Sequence, residues 1–363
     1  MLRSEPNHSS ISGFQMLALL LGIPFLRLLW LADLRNHIVE TVTLLLASSI
    51  FYLLSVRLVL QSNPIGDNPF GIKKILLAGL LFRVTVFPLY PAFTDDLHRY
   101  RWEGKIQEAG FNPYLHAPKA VELEPLRDAL YPPIDGKHFT AVYGHVLELE
   151  QRAVYRILAR ITPVVSRQLF WFKAPAALAE LGVMGVVLML LRARGRPLEH
   201  VLIYAWCPLP IFEFWATGHN DSLVLLPLLL AVALRPRWTA VFLSLATAAK
   251  FWPALLIPSL VDFRRRQILA FGAIFCVILV LFFAPYAANL TQNAQFATGF
   301  LGGWRNNDSL HALIAGAAGD PYRAKYITMG LIGAAALGVG LTRWRVEARV
   351  LAVIVTILAL SAN

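Results

Sequence analysis

The chain has 363 residues, of which 57% are hydrophobic and only 15% charged, and its mean hydropathy is +0.58. A soluble domain carries nearer a quarter charged residues, so the composition is that of a polytopic membrane protein. The net charge of +11 does not point to nucleic acid, because the Lys and Arg residues gather in short loops between apolar runs, the topology signal of the positive-inside rule.

Apolar runs of near-spanning length occur at 11–33, 37–60, 74–93, 167–191, 200–216, 221–234, 268–288, 326–342 and 348–361, with a broken pair at 239–260. They predict an all-α polytopic protein with about 9–11 transmembrane segments, treated as a single domain over 1–363. The first run lacks a small-residue cleavage site and is not a removable leader. It contains Arg27, which suggests contact with another helix rather than lipid. Basic clusters fall at Lys73-Lys74, at Arg192, Arg194 and Arg196, at Arg235 and Arg237, at Arg264-Arg265-Arg266, and at Arg343, Arg345 and Arg349. With a cytoplasmic N-terminus all of them can be cytoplasmic, provided 239–260 enters and returns on one side. Lys250 and Pro253 interrupt that segment, and each half is too short to span. Loops 94–165, 217–221 and 289–325 then share the opposite side.

The acidic pair Asp95-Asp96 follows the third run and opens Thr94-Asp95-Asp96-Leu97-His98-Arg99-Tyr100-Arg101-Trp102-Glu103-Gly104. Carboxylates at a membrane boundary are costly and tend to be functional. Two readings hold together: a catalytic carboxylate facing a lipid-borne substrate, and a helix start in which Thr94 caps and the acids complement the dipole. At helical spacing Asp95, Arg99 and Trp102 share one face, and Asp96, Tyr100 and Glu103 share the next. An acid beside a cation can bind a phosphate while keeping a carboxylate ionised as a base. The remainder of 94–165 alternates Pro and Gly turns with a helical piece, Val146 to Arg160. Its apolar residues (Val146, Leu149, Ala153, Val154, Ile157, Leu158) and basic ones (Arg152, Arg156, Arg160) suit either a helix along the membrane interface or a solvated surface helix.

Three further constellations stand out. Gly218-His219-Asn220-Asp221-Ser222 joins two runs on the side of the acidic pair; it is either a turn in which Asn220 or Asp221 caps the next helix, or a sugar-contacting or acid-positioning loop. Lys250 in Lys250-Phe251-Trp252-Pro253 needs an anion, a cavity or a carbonyl cluster if it does not snorkel. Trp304-Arg305-Asn306-Asn307-Asp308 lies in the last large outer loop, and its aromatic and amide content fits a carbohydrate site. His98, His116, His138 and His145 have no metal-ligand spacing, and Cys207 and Cys276 sit in apolar runs without redox spacing. No metal or cofactor is indicated, although adjacent carboxylates can hold a divalent ion.

Together these pieces resemble the GT-C class of integral-membrane glycosyltransferases. The sharpest likeness is Asp95-Asp96, Tyr100, Trp102-Glu103-Gly104, Gly110 and Asn112-Pro113-Tyr114, which looks like the first-loop signature of polyprenol-phosphate-mannose-dependent mannosyltransferases. Gly218-His219-Asn220-Asp221 and Ala249-Lys250-Phe251-Trp252-Pro253 are similar to later landmarks of that group. The resemblance implies an inverting transfer of a sugar, mannose above all, from a polyprenyl-phosphate donor to a lipid-linked or glycan acceptor, with 94–165 as the catalytic loop. It places the work at the outer face of a bacterial cytoplasmic membrane.

In that reading Asp95 or Asp96 is the general base. Arg99 and Lys250 meet phosphate, and Tyr100, Glu103, Tyr114, His219, Asn220, Asp221, Trp304, Asn307 and Asp308 contact substrate. The chain stops at Asn363 after a barely spanning run, where relatives continue, so the resemblance also raises the expectation of a truncated chain. The alternative from another class is a transporter or flippase of a polyprenyl-linked or small polar substrate. Such a protein should carry paired inverted repeats with matching broken spans, and the single broken segment has no partner.

Overall fold

The computed structural model describes residues 8–61, 71–261, 267–289 and 309–361. Among them there is no β-strand, so the all-α expectation holds. The longer helices are α1 (His8–Leu31), α2 (Ile38–Gln61), α3 (Ile72–Val86), α4 (Asp96–Glu108), α5 (His145–Ile161), α6 (Val165–Trp171) and α7 (Ala174–Ala193). Short pieces α8 (Leu202–Ala205) and α9 (Pro208–Ile211) lead into a π-helical turn, Phe212–Thr217. Then come α10 (Ser222–Ala233), α11 (Thr239–Ala249), α12 (Ile257–Leu260), α13 (Gln267–Phe283), α14 (Ser309–Ala318), α15 (Pro321–Gly340) and α16 (Val346–Leu360).

Among the described residues, four segments are long and apolar enough to cross a membrane: Gly13–Leu31, Ile38–Gln61, Val165–Ala193 and Ile268–Ala287. The polytopic expectation is met, but fewer of the described helices reach full span length than the apolar runs implied. The clearest departure is 200–216. Pro208 removes a donor and clashes with the preceding turn, so this run breaks into α8, α9 and the π turn instead of one helix. The broken pair at 239–260 appears as expected: α11 ends at Ala249, Lys250 is extended (φ −144°, ψ 143°), and a 3-10 turn at Trp252–Leu256 leads into α12.

The chain divides into two compact units, residues 1–100 with 158–226, and residues 101–157 with 227–363. In the first, α1 packs on α2 and α3 around Leu21, Phe25, Leu28, Phe82, Trp206 and Phe212. Arg27 reaches across to Glu40 of α2 at 2.7 Å, as its place in an apolar run requires. Deep in this unit Arg83 forms a forked pair with Glu180, Nε to Oε2 at 2.8 Å and Nη2 to Oε1 at 2.6 Å. Both side chains are fully buried. Arg83 also donates to the Gly79 and Ala205 carbonyls, and Trp215 Nε1 donates to Glu180 Oε2 at 3.0 Å. Both charges are paired and further hydrogen-bonded, the condition under which a buried ion pair is tolerated. The result ties α3, α7 and the π turn together.

In the second unit the rest of α4 packs on α5. A Cβ at Gly104 would lie 2.3 Å from the Gln151 carbonyl oxygen, so only glycine allows this approach. The buried residues of α5 are mixed: Leu147, Glu148 and Gln151 are fully buried, and Leu158 is nearly so. Gln107 Nε2 donates to Glu148 Oε2 at 3.0 Å, and Tyr286 Oη donates to Gln107 Oε1 at 2.7 Å. Ile157 is exposed, and Val146, Leu149 and Val154 are only partly covered. Arg152 and Arg156 are drawn to Glu108, whose carboxyl their hydrogen bonds hold down at about 2. Their guanidinium charges are thus paired within the protein. Elsewhere in this unit α11 packs on α13, and α15 on α16. The apolar window of Ile268–Ala287 is 0% buried, the pattern of a lipid-facing span.

Candidate active site

The acidic pair lies in the first unit, at the start of α4. The approach is strained: Phe93 has φ +66°, a left-handed conformation unfavourable for a bulky residue. Thr94 Oγ1 accepts from the Asp96 amide at 3.1 Å, and the Asp95 carbonyl accepts from His98 and Arg99. Thr94 therefore caps as the sequence implies, and the carboxylates stand at the positive end of the helix dipole. Both acids are half-buried, whereas Leu97, His98, Arg99 and Tyr100 are buried. Tyr100 Oη points back one turn to Asp96 Oδ2 at 3.4 Å, the contact expected of residues four apart.

The loop Gly218-His219-Asn220-Asp221 meets this pair. His219 Nε2 lies 3.5 Å from Asp96 Oδ2. On its other side Nδ1 bonds Glu213 Oε2, and Thr217 Oγ1 is 3.0 Å away. Burial pushes the imidazole down, but its hydrogen bonds to two carboxylate partners outweigh that and lift it to about 10. His219 is thus a cation at neutral pH, held between two acids. The local chain makes this possible. The π turn is wider than an α turn, Gly218 closes it in a left-handed conformation (φ +80°), and the His219 amide returns to the Glu213 carbonyl at 2.9 Å.

Lys173 fastens the two segments that carry these groups. Its fully buried ammonium donates to the carbonyls of Phe87 and Leu89, ahead of the acidic pair, and of Ala216, ahead of His219. A Cβ on Gly218 would stand 2.6 Å from Lys173 Cγ, which explains the glycine a second time.

Asn220 is 3% exposed, and neither atom of its side-chain amide has a hydrogen-bond partner. The expected helix cap is therefore not made by its side chain. The turn is closed by main chain, with Leu223 donating to the Asn220 carbonyl and Val224 and Leu225 to that of Asp221. A cleft of about 380 Å³ beside Pro88 and Tyr90 is lined by Leu29, Asp33 and Arg35; the acids do not line it, and Arg35 there is bound to Asp33 at 2.6 Å.

Of the remaining predicted site residues, Glu103, Tyr114 and Lys250 belong to the second unit. Glu103 is 1% exposed. Tyr114 donates to the Tyr143 carbonyl at 2.7 Å and sits in an aromatic group with His145 and Tyr286. Burial raises its phenol well above the usual range, so it is a donor and not an anion. Trp304, Asn307 and Asp308 lie outside the described residues. No group of three or more metal-ligating side chains occurs among the described residues. Sequence reasoning missed Glu213 and Lys173. The signal was available in both cases, since each is a charged residue inside an apolar run.

A helical membrane protein with an acid–imidazole–acid cluster at the head of its first long loop has the parts of an acid–base group-transfer enzyme. Residues 10–264 match the family described as alpha-(1->6)-mannopyranosyltransferase, N-terminal domain, and the chain belongs to this MptA_B family. It is accordingly a mannosyltransferase, a glycosyltransferase that takes a sugar donor and a glycan or lipid acceptor. The family favours the enzyme over the transporter. No curated protein matches the chain, and no solved structure does.

Proposed function

We propose that the chain transfers mannose from a polyprenyl-phosphate donor to a hydroxyl of a lipid-linked or glycan acceptor, with inversion, at the outer face of a cytoplasmic membrane. Asp95 or Asp96 takes the proton from the acceptor hydroxyl as its oxygen attacks the anomeric carbon. The bond from that carbon to the phosphate oxygen breaks, and polyprenyl phosphate leaves with the electron pair. The captured proton then passes to solvent. An α-linked product formed by inversion requires a β-linked sugar phosphate. A phosphate leaving group has low basicity, so one base plus charge stabilisation suffices.

The observation that carries this reading is the half-buried acidic pair at a helix N-terminus, with Asp96 3.5 Å from the His219 cation. Arg99 and Lys250 are the proposed phosphate contacts. Asn220, with an unmet buried amide, is the proposed reader of a sugar hydroxyl, alongside Asp221 and Tyr100. Glu103 and Tyr114 of the first loop, and Trp304, Asn307 and Asp308, complete the proposed substrate contacts.

The test is to incubate purified protein in lipid with radiolabelled polyprenyl-phosphate mannose and a mannoside acceptor, and to determine the linkage formed. An α-linked product from the β-linked donor supports the proposal. Transfer from a nucleotide sugar but not from the polyprenyl donor refutes it.

A further inference from the structure

The sequence offers His219 as a sugar contact or as a group that positions the acidic pair, and the structure leaves it little freedom for the first. Nδ1 is engaged by Glu213 Oε2, with Thr217 Oγ1 at 3.0 Å, and Nε2 faces Asp96 Oδ2 at 3.5 Å. An imidazole between two carboxylates donates from both nitrogens. We propose that Glu213 and His219 form a relay that fixes the orientation and the charge of Asp96 for the transfer step, making Glu213 a positioning residue of the reaction. This rests on the proposed role of the acidic pair as base.

Glu213 lies in the apolar run 200–216, where a carboxylate unconnected to anything would be expensive. Its side chain is one-third exposed, unlike the structural Glu180, which is wholly buried against Arg83. Among the described residues no arginine forks onto it, and its ion partner there is His219. The local backbone is shaped around that contact. The π turn Phe212–Thr217 and left-handed Gly218 fold His219 back onto Glu213, six residues earlier, and the Thr217 hydroxyl donates to the Glu213 carbonyl at 2.6 Å. Lys173 holds the end of this turn through Ala216 and the approach to the acidic pair through Phe87 and Leu89. Both ends of the relay are thereby anchored to one buried ammonium.

Chemically, the imidazolium keeps Asp96 ionised and commits Oδ2, which also receives Tyr100 at 3.4 Å. Glu213 supplies the charge that keeps the imidazole a donor toward Asp96. Removing Glu213 leaves every substrate contact in place but weakens the orientation of Asp96, so turnover should suffer more than binding.

The test uses the full chain reconstituted in lipid, with polyprenyl-phosphate mannose and a mannoside acceptor. The variants are Glu213→Gln, Glu213→Asp, His219→Gln and the double variant Glu213→Gln/His219→Gln, with Asp95→Asn and Asp96→Asn as references. The relay predicts a fall in kcat of about tenfold or more for Glu213→Gln, with donor and acceptor KM within about threefold of wild type. Glu213→Asp should recover part of kcat, and the double variant should be no slower than the slower single one, because both remove the same connection. If Glu213→Gln does not fold, the split is read from Glu213→Asp and His219→Gln. Wild-type kcat in these variants, with Asp95→Asn or Asp96→Asn inactive, overturns the relay and leaves the base assignment standing. Near wild-type rates in both aspartate variants overturn the base assignment, and the relay with it.

Discussion

Replacing Lys173 with Met should loosen the site more than it loosens the protein. Met matches the length of the lysine stem and can occupy the same volume. What disappears is the ammonium, which donates to Leu89 O at 2.8 Å, to Ala216 O at 3.4 Å and to Phe87 O. A buried carbonyl left without a donor costs about 1–3 kcal/mol. The contacts to Phe87 and Leu89 are the strong ones, so the loss is roughly 2–6 kcal/mol before correction. Relief from burying a cation offsets several kcal/mol of that, leaving a net destabilisation of about 2 kcal/mol. The functional consequence should be larger. The freed carbonyls belong to the segment that leads through Phe93 to Asp95 and Asp96, and to the turn that leads to His219. A misplacement of about 1 Å in such groups costs about 10²-fold in rate. The assay pairs thermal unfolding of the reconstituted protein with turnover on polyprenyl-phosphate mannose. Lys173→Met with a small shift in melting and a kcat lowered about 10²-fold supports the reasoning. Wild-type kcat would show that the two segments hold their places without this lysine, and would refute it.

Arg83→Met should destabilise by about 3–5 kcal/mol, because it strands the Glu180 carboxylate in the core; the double change with Glu180→Leu should recover much of that in thermal unfolding. His145 is neutral in the folded chain, since burial among Tyr114, Phe283 and Tyr286 lowers its pKa from 6.5 to about 4. The unfolded chain therefore takes up the proton first, so this residue removes stability as pH falls from 6.5 toward about 4. His145→Phe should flatten that part of the stability profile measured by denaturation at a series of pH values. Lys250→Met should fold normally and raise the donor KM roughly tenfold, a loss of about 1.4 kcal/mol, with acceptor KM little changed; unchanged donor titrations would mark Lys250 as structural.

Much of the site was legible because its signals are local. Thr94 before two acids is a capping pattern, and the structure uses it. Asp96 and Tyr100 are four apart, and they meet. Counting basic clusters put 94–165 and 217–221 on one side, and Asp96 and His219 are indeed neighbours. The break at Lys250 and Pro253 was equally plain, since proline ends a helix by removing a donor. What escaped depends on tertiary contact. The run 200–216 reads as one span by hydropathy, yet Pro208 and the π turn divide it, and the division is what aims Glu213 at His219. Lys173 is hidden in an apolar run, and only the folded chain brings carbonyls from residues 87, 89 and 216 to its ammonium. Of the apolar face expected of α5, Leu158 is buried, Val146, Leu149 and Val154 are half-buried, and Ala153 and Ile157 are exposed. Its buried residues are Leu147 and Leu158 together with Glu148 and Gln151, and Gln107, itself bonded by Tyr286, donates to Glu148 there.

The account rests on the acidic pair as the base of mannosyl transfer, and single-turnover rates for Asp95→Asn and Asp96→Asn test it most directly. At least one should fall by about 10²-fold or more, the low end for losing a general base, while membrane expression and thermal unfolding stay near wild type. Wild-type rates in both variants would contradict the account.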